Sequence, residues 1–278
     1  MAPLALVTGA SSGIGRACAT HLASRGFAVL AGVRNVADAP PNTEPIRLDV
    51  TRAEDIAAAA ERVGTSLHAL VNNAGIAVNG PIEVVPVEDW RHQLEVNLIG
   101  QVAVTRALLP ALLNARGRIV NMSSISGRNA LPLLGPYAAS KFALEAFNDS
   151  LRREVGPHGV KVACVEPGII VTPVWAKSRA TGEGLVDTMP ADARRRYETM
   201  IKAVRGFAES AERDGLPPEA VAEVVGHAVT ARRPRTRYVV GREARVRVAL
   251  GRLLPDRAMD ALIRRVITTS GGRSGGRG

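Results

Sequence analysis

The sequence predicts an α/β fold in which a doubly wound parallel sheet is covered by helices on both faces. Six short apolar runs alternate with segments of helical spacing in the first 168 residues. Strands that are apolar along their whole length indicate a sheet buried on both faces, and their alternation with helices indicates parallel strands joined by crossovers. The 278 residues fit one such domain, predicted over residues 1–269.

The first elements follow one another in a regular order. The first strand is predicted in "LALVTG" and the first helix in "IGRACATHLASRG", where Ile14, Cys18 and Leu22 recur at helical spacing before Gly26. The second and third strands are predicted in "AVLAGVR" and "IRLDV", and the second helix in "AEDIAAAAERVG". The fourth strand, "LHALVNNAG", precedes a long helix from about residue 86 to residue 114.

The second half continues this alternation with one interruption. "GRIVNMSS" is the fifth strand, residues 136–156 are a long helix, and "VKVACVEPG" is the sixth strand. Residues 169–216, here called the lid, show little apolar periodicity and are predicted to be an irregular insert that covers the substrate. A helix in "PPEAVAEVVGHAVTA", a last strand in "TRYVVG" and a basic helical segment at about 242–268 complete the domain.

The positive charge is concentrated near the C-terminus. From residue 231 onward, 13 Arg face 3 acidic residues, so the +10 of the whole chain leaves the first 230 residues neutral, with 23 basic and 23 acidic side chains. We interpret this segment as a solvated helix; contact with an anionic membrane surface is an alternative, and no base-reading motif predicts nucleic-acid binding. The Gly-rich residues 270–278 are predicted to be disordered.

The two cysteines and the hydropathy limit the class of protein further. Cys18 and Cys164 form no C-x-x-C pair, so neither a disulfide framework nor a metal centre is predicted. No run of 18 apolar residues occurs, and the N-terminal "MAPLALVTGA" has no basic lead. A cytoplasmic protein without a signal peptide is therefore expected.

A glycine-rich turn, "TGASSGIG" at residues 8–15, lies between the first strand and the first helix. Glycines there permit close approach to a diphosphate, whose charge the free amides of the helix N-terminus meet. With the element order, this turn indicates a Rossmann-type three-layer α/β/α sandwich. Arg34 stands at the end of the second strand, where an acid would bind the ribose of NAD, and so favours NADP(H), with NAD(H) possible. Asp49 is a candidate for the adenine edge or for a turn.

Four motifs occur together with a particular spacing. They are T-G-x-x-x-G-x-G at residues 8–15, N-N-A-G at residues 72–75, a serine thirteen residues before Y-x-x-x-K at residues 137–141, and P-G-x-x-x-T at residues 167–172. In these motifs the chain resembles the short-chain dehydrogenase/reductase (SDR) family over about residues 4 to 172. The stretch from residue 128 to residue 155 is most similar to the branch of 17β-hydroxysteroid and retinol dehydrogenases.

Tyr137 and Lys141 share one face of the predicted helix, because they are four residues apart. An ammonium beside a phenol favours the phenolate, so we expect the pKa of Tyr137 to be lowered toward neutrality. The resemblance implies that Tyr137 transfers the proton, Ser124 holds the substrate oxygen, and Lys141 also binds the nicotinamide ribose. It implies further that Asn97 holds a water that feeds a proton relay.

The resemblance also implies a set of residues around the dinucleotide. The glycine turn would hold the diphosphate, the N-N-A-G loop would support the adenosine side, and the segment after the sixth strand would hold the carboxamide. The predicted cofactor contacts are Gly9, Ser11, Ser12, Gly13, Ile14, Gly15, Arg34, Asp49, Val50, Asn73, Ala74, Gly75, Tyr137, Lys141, Pro167, Gly168, Ile170 and Thr172.

The residues near the expected pocket indicate the substrate class. An apolar wall is predicted from Leu131, Leu133, Leu134, Val174 and Trp175. A bulky lipophilic alcohol or ketone, steroid-like or retinoid-like, is therefore expected. The alternatives are a 3-oxoacyl carrier-protein reductase, for which a basic patch at the pocket mouth would be needed, and a non-catalytic NADP-binding regulator. Members of the family associate through two long helices, here near residues 90–114 and 136–156. The resemblance therefore predicts a homodimer or homotetramer.

Overall fold

The structure is a computed structural model that describes residues 2–271, apart from the side chains of residues 177, 207, 208, 210–212 and 268–271. Its centre is one parallel sheet of seven strands in the order β3-β2-β1-β4-β5-β6-β7. This confirms the predicted Rossmann-type fold. The strands are β1 Leu4–Thr8, β2 Ala28–Val33, β3 Glu44–Arg47, β4 Ala69–Asn72, β5 Arg118–Met122, β6 Lys161–Pro167 and β7 Arg237–Val240.

Helices cover both faces of the sheet. They are α1 Gly13–Ser24, α2 Ala53–Val63, α3 Val87–Leu94, α4 Gly100–Ala115, α5 Gly135–Val155, α6 Pro173–Thr188, α7 Ala191–Asp214, α8 Pro218–Thr230, α9 Arg242–Leu253 and α10 Asp256–Gly271. The last of these includes the first two residues of the predicted disordered tail; residues 272–278 lie outside the described residues.

The core consists of two apolar layers, one on each face of the sheet. On one face, α1 and α8 bury Leu22 and Val225 against the strands. On the other face, α2, α4 and α5 bury Ile56, Leu108 and Leu151. Within each of these helices the buried apolar residues recur at helical spacing. The sequence pattern therefore predicted both the helices and their buried faces.

The predicted long helix from residue 86 to residue 114 is divided in the middle. A π-helical turn, Glu95–Ile99, separates α3 from α4. By length and composition Val87–Ala115 could cross a membrane. In this structure Val104, Leu108 and Leu112 of α4 lie in the core against the sheet, as in a core helix of an α/β fold.

The lid is helical, so the prediction of an irregular insert was wrong. It contains α6 and α7, which pack together around a small apolar cluster. In α7 the apolar residues do recur at helical spacing, but they are separated by many Arg and Glu residues that obscure the pattern. The buried members of the cluster are Leu133, Val186, Met189, Ala193 and Ile201.

Candidate active site

The glycine turn after β1 is shaped by close packing against the loop after β4. Gly9 and Gly13 have positive φ values of 65° and 53°. A Cβ atom on Gly9 would lie 2.9 Å from Cα of Ala74. A Cβ atom on Gly15 would meet the carbonyl oxygen of Gly9 and the side-chain Nδ2 of Asn73. The turn therefore needs glycine at these positions, and it leaves the N-terminus of α1 open toward a ligand.

The N-N-A-G loop is held to this turn by hydrogen bonds. The backbone amides of Asn73 and Ala74 donate to Oγ1 of Thr8 at 2.9 and 3.0 Å. Nδ2 of Asn73 donates to the carbonyl oxygens of Thr8 and Gly9 at 3.0 and 3.2 Å. These hydrogen bonds are the contacts expected of a residue that supports the backbone of the turn. The role of Asn73 beside a bound dinucleotide stays a prediction.

The segment after β6 reaches the same place. A Cβ atom on Gly13 would lie 3.2 Å from Cγ2 of Thr172, so the predicted Thr172 lies beside the N-terminus of α1. Gly168 packs so closely that a Cβ there would be 2.8 Å from Cβ of Ala244 in α9. The structure thus brings together the turn, the N-N-A-G loop and the P-G-x-x-x-T segment at the carboxyl ends of β1, β4 and β6. In such folds dinucleotides bind at this edge.

The predicted adenosine end has a different character. Arg34 is exposed at the end of β2. The carboxylate of Asp49 accepts hydrogen bonds from the backbone amide and Oγ1 of Thr51 at 3.0 and 2.7 Å, so it caps its own turn. Burial raises the pKa of Asp49, but the bonds from Thr51 and the charges of Arg34 and Arg52 outweigh burial and leave this pKa below its ordinary value.

A second guanidinium lies at this edge that sequence reasoning missed. Arg16, the residue after the last glycine of the turn, is exposed and donates through Nη1 to the carbonyl oxygens of Ser11 and Asp38 at 3.1 and 3.4 Å. Asp38 belongs to the turn that follows Arg34. The signal in the sequence was its place in the first turn of α1, where a side chain faces the end of β2.

Ser124, Tyr137 and Lys141 meet below the lid. Ser124 follows β5, where its Oγ accepts a 3.1 Å hydrogen bond from the amide of Ser126, and it is also hydrogen-bonded to the Tyr137 side chain. Tyr137 lies in the first turn of α5. Nζ of Lys141 is 5.8 Å from the centre of the Tyr137 ring and donates to the carbonyl oxygen of Met122 at 2.7 Å.

The direction predicted for the pKa of Tyr137 is wrong for this structure. Burial raises this pKa above its ordinary value, and the hydrogen bond with Ser124 only opposes the rise. The Lys141 ammonium is 5.8 Å from the ring centre and donates its hydrogen bond to Met122, so it does not offset the effect of burial. Burial in turn lowers the pKa of Lys141 to about 8, although the nearby Cys164 and Glu145 oppose that effect. Tyr137 is therefore protonated at neutral pH and suited to donate a proton.

Asn97 lies in the π-helical turn between α3 and α4. Its Nδ2 donates to the carbonyl oxygen of Ile76 at 3.0 Å and to Oγ of Ser140 at 3.2 Å, and its Oδ1 accepts from the amide of Ile76 at 2.8 Å. The wider turn carries the side chain across to the loop after β4 and to α5. Asn97 thus joins the loop after β4 to α5, the helix that carries Tyr137.

Two buried glutamines flank Asn97 and were missed by sequence reasoning. Gln93 accepts from the amide of Val78 at 2.6 Å, and Gln101 donates to the carbonyl oxygen of Ala74 at 3.1 Å. Both are fully buried, as is Asn97. Three amide side chains spaced by four residues along a helix are the signal that could have identified them, because buried amides need polar partners.

The apolar wall predicted around the substrate is partly assembled. The Trp175 ring lies 6.3 Å from that of Tyr137 in an edge-on arrangement. Leu133 and Leu134 are buried, while Leu131 and Val174 are partly exposed. A cavity of about 50 Å³ lies farther along the lid, where Leu133, Val186, Ile201 and Val204 line it. Tyr137 does not line this cavity, so the cavity is separate from the site formed by Ser124, Tyr137 and Lys141.

Comparisons with known proteins place the chain in one family. The family model for short chain dehydrogenase matches residues 3–183. The NADPH-dependent 3-dehydrocapnine reductase of Ornithobacterium rhinotracheale is 38% identical over 276 residues, which cover 93% of this chain and 95% of the relative. Retinol dehydrogenase 16 of Mus musculus is 38% identical over 274 residues, covering 92% of this chain and 86% of the relative.

The solved structures give the same result. A short chain dehydrogenase from Burkholderia cenocepacia J2315 in complex with NADP is 29% identical, with a TM-score of 0.74 and coverage of 94% of this chain and 97% of that one. A short-chain dehydrogenase from Streptomyces avermitilis is 26% identical, with a TM-score of 0.74 and coverage of 100% and 99%.

The fold, the glycine turn and the Ser–Tyr–Lys site define an oxidoreductase that acts on CH–OH groups and the corresponding carbonyls. The chain belongs to the short-chain dehydrogenase family, with retinol dehydrogenases among its relatives.

Proposed function

We propose that this protein is an NADP(H)-dependent oxidoreductase that interconverts a bulky lipophilic ketone, steroid-like or retinoid-like, and its alcohol. The observation that carries the proposal is the meeting of Ser124, Tyr137 and Lys141 at the carboxyl edge of the sheet, next to the ring of Trp175. A polar proton donor beside an apolar surface suits a carbonyl on a large apolar molecule. The relatives described as a 3-dehydrocapnine reductase and as a retinol dehydrogenase support it.

The chain's own residues would act as follows in the direction of reduction. Ser124 donates a hydrogen bond to the carbonyl oxygen of the substrate and polarises the bond. A dinucleotide held at the glycine turn would supply a hydride for the carbonyl carbon. Tyr137 donates its phenolic proton to the oxygen, so that one hydride and one proton convert the ketone to the alcohol. Lys141 stabilises the phenolate that remains.

The dinucleotide fits the residues present. Glycine at positions 9, 13 and 15 keeps the cradle at α1 free of side chains, and Thr172 stands beside it. Arg34 and Arg16 are two cations at the end where a 2′-phosphate would lie. Support for NADP(H) also comes from the relative described as NADPH-dependent and from the solved structure in complex with NADP.

We expect Arg34→Ala to weaken NADPH binding roughly ten- to a hundredfold, since charge-assisted hydrogen bonds contribute about 1.5–3 kcal/mol. NADH binding should stay at its wild-type level, because NADH has no 2′-phosphate. Fluorescence titration with both nucleotides measures this. Arg25→Ala, at the far end of α1, is the matched control and should change neither affinity. Equal weakening of both nucleotides by Arg34→Ala would contradict the assignment.

A panel of ketones tests the proposed function. Purified protein with NADPH is mixed with steroid, retinoid and short acyl ketones, and oxidation is followed at the nicotinamide absorbance. Turnover of the bulky ketones in preference to the short acyl ones supports the proposal. Preference for acyl chains on a carrier would favour the carrier-protein reductase. Tight NADPH binding with no turnover across the panel would favour the regulator.

We also propose a cytoplasmic homodimer or homotetramer formed through the helices near Ile99 and α5. Ile99 and Phe142 are large apolar residues with exposed fractions of 48% and 46% on the helices that the family pairs. Exposed apolar side chains of this kind mark interfaces when they cluster. Light scattering after gel filtration measures the mass, and a monomer at micromolar concentration would contradict this part of the proposal.

A further inference from the structure

A group of charged side chains lies between α5 and strands β6 and β7. It begins one helical turn after Lys141. We call it the Glu145 cluster; its members are Arg128, Glu145, Asp149, Glu166 and Arg237. Arg237 donates to Glu145 at 3.0 Å and to Asp149 at 2.9 Å, and Arg128 lies 3.4 Å from Glu145 and 3.1 Å from Glu166. These residues come from α5, β6, β7 and the turn after β5.

The centre of the cluster is buried. Glu166 has an exposed fraction of 0% and Glu145 one of 5%. Asp149 lies one turn farther along α5 and is 26% exposed in its side chain. Burying carboxylates is costly even when they are paired, so a buried pair contributes little net stability. The cluster therefore calls for an explanation beyond the stability of the fold.

The position of Glu145 relative to the active site offers one. Glu145 is four residues after Lys141, on the same face of α5, and both side chains are buried. Between the helix and the sheet, Sγ of Cys164 on β6 donates to Oε1 of Glu145 at 3.1 Å. Cys164 lies on the strand next to that of Met122, whose carbonyl oxygen accepts the hydrogen bond from Lys141.

The Lys141 side chain has neighbours on three elements. On α5 the Tyr137 ring is 5.8 Å from Nζ, and Glu145 follows one helical turn later on the same face. On β5 the carbonyl oxygen of Met122 accepts the Lys141 hydrogen bond, and on β6 is Cys164, whose thiol donates to Glu145. Arg237, on β7, donates to Glu145, and Arg128, from the turn after β5, donates to Glu166 and lies 3.4 Å from Glu145, so both guanidiniums restrain the Glu145 carboxylate.

We propose that Glu145 is a positioning residue that keeps the Lys141 ammonium charged, as its buried counterion, while Arg128 and Arg237 fix the carboxylate. The inference rests on the proposed function, in which Lys141 stabilises the Tyr137 phenolate. It goes beyond it by adding a residue that touches neither substrate nor dinucleotide.

The electrostatics agree with this role. Burial lowers the pKa of Lys141 to about 8, and the nearby Cys164 and the Glu145 carboxylate work in the opposite direction. Removal of the Glu145 charge should therefore lower the pKa of Lys141 further. Ketone reduction needs both Lys141 and Tyr137 protonated. The pH above which activity falls should therefore be lower in the variant than in the wild type.

Direct titration of Lys141 tests the inference without any substrate. The chain has only four lysines, Lys141, Lys161, Lys177 and Lys202, so lysine labelled with ¹³C at the ε position gives few signals by nuclear magnetic resonance. Lys141→Arg assigns the relevant signal by its loss. We expect Lys141 to titrate about one pH unit lower in Glu145→Gln than in the wild type, the effect of losing an opposite charge nearby.

The matched control is Asp149→Asn. It removes a carboxylate of the same helix that also pairs with Arg237, but Asp149 is eight residues from Lys141, about two helical turns, so the Lys141 titration should be unchanged. If Glu145→Gln does not fold, Glu145→Asp can replace it. This change moves the carboxylate away by one methylene and should lower the pKa of Lys141 by a smaller amount. The signals of the other three lysines and the thermal unfolding midpoint report folding.

Two results would overturn the inference: an unshifted Lys141 in the Glu145 variants that fold, or an equal shift in Asp149→Asn. The alkaline limb of the pH profile for ketone reduction should move in the same direction in Glu145→Gln, which a merely structural role would not produce. Absence of ketone turnover in the wild type would refute the proposed function and leave the titration result standing on its own.

Discussion

We expect Tyr137→Phe to lower kcat for ketone reduction by about a hundred- to ten-thousandfold, the contribution of a general acid, and to leave NADPH affinity near its wild-type level. The phenylalanine ring keeps the edge-on contact with Trp175 and removes only the hydroxyl that is bonded to Ser124. Steady-state kinetics with a ketone from the panel measure kcat, and fluorescence titration measures NADPH binding.

Tyr238→Phe is the matched control for that experiment. The Tyr238 hydroxyl accepts a 2.8 Å hydrogen bond from the amide of Arg235 beside β7, away from Ser124, so its loss should leave kcat unchanged. Turnover by Tyr137→Phe at a rate close to that of the wild type would refute the proposed mechanism. Loss of NADPH binding along with activity would point to a structural role for the Tyr137 hydroxyl.

We expect Gly15→Ala to abolish measurable NADPH binding and to lower the free energy of unfolding by about 1–3 kcal/mol, the usual cost of forcing atoms into a packed site. The new Cβ would meet the carbonyl oxygen of Gly9 and the amide of Asn73, and it would lie 2.8 Å from the carbonyl carbon of Gly9. Because two of these atoms belong to the backbone of the turn, relief requires the turn itself to open. Nucleotide titration and urea unfolding measure the two effects.

A second glycine-to-alanine change separates this effect from substitution in general. Gly184 lies within α6, and a Cβ there would have no atom within 4 Å. Gly184→Ala should stabilise the protein by about 0.5–1 kcal/mol through higher helix propensity and leave NADPH binding intact. Wild-type NADPH affinity in Gly15→Ala would show that the glycine turn does not hold the dinucleotide.

Local patterns account for the parts of the molecule that were predicted. The strands were visible because parallel strands buried on both faces are apolar along their length, as in β4 and β5. The helices of the lid were hidden because α7 interrupts its apolar positions with Arg and Glu, so that its pattern resembled that of a solvated loop. Gln93 and Gln101 were overlooked because amides on a helix are usually exposed.

Short-range spacing and motifs were sufficient to predict the fold class, the order of the elements and the set of Ser124, Tyr137 and Lys141. The directions of the pKa shifts and the surroundings of Lys141 could not be predicted in this way. Burial, which depends on how distant segments pack, raises the pKa of Tyr137 against the direction that its spacing from Lys141 predicts. Likewise, the contact between Glu145 and Arg237 joins residues far apart in the chain, and no local pattern encodes it.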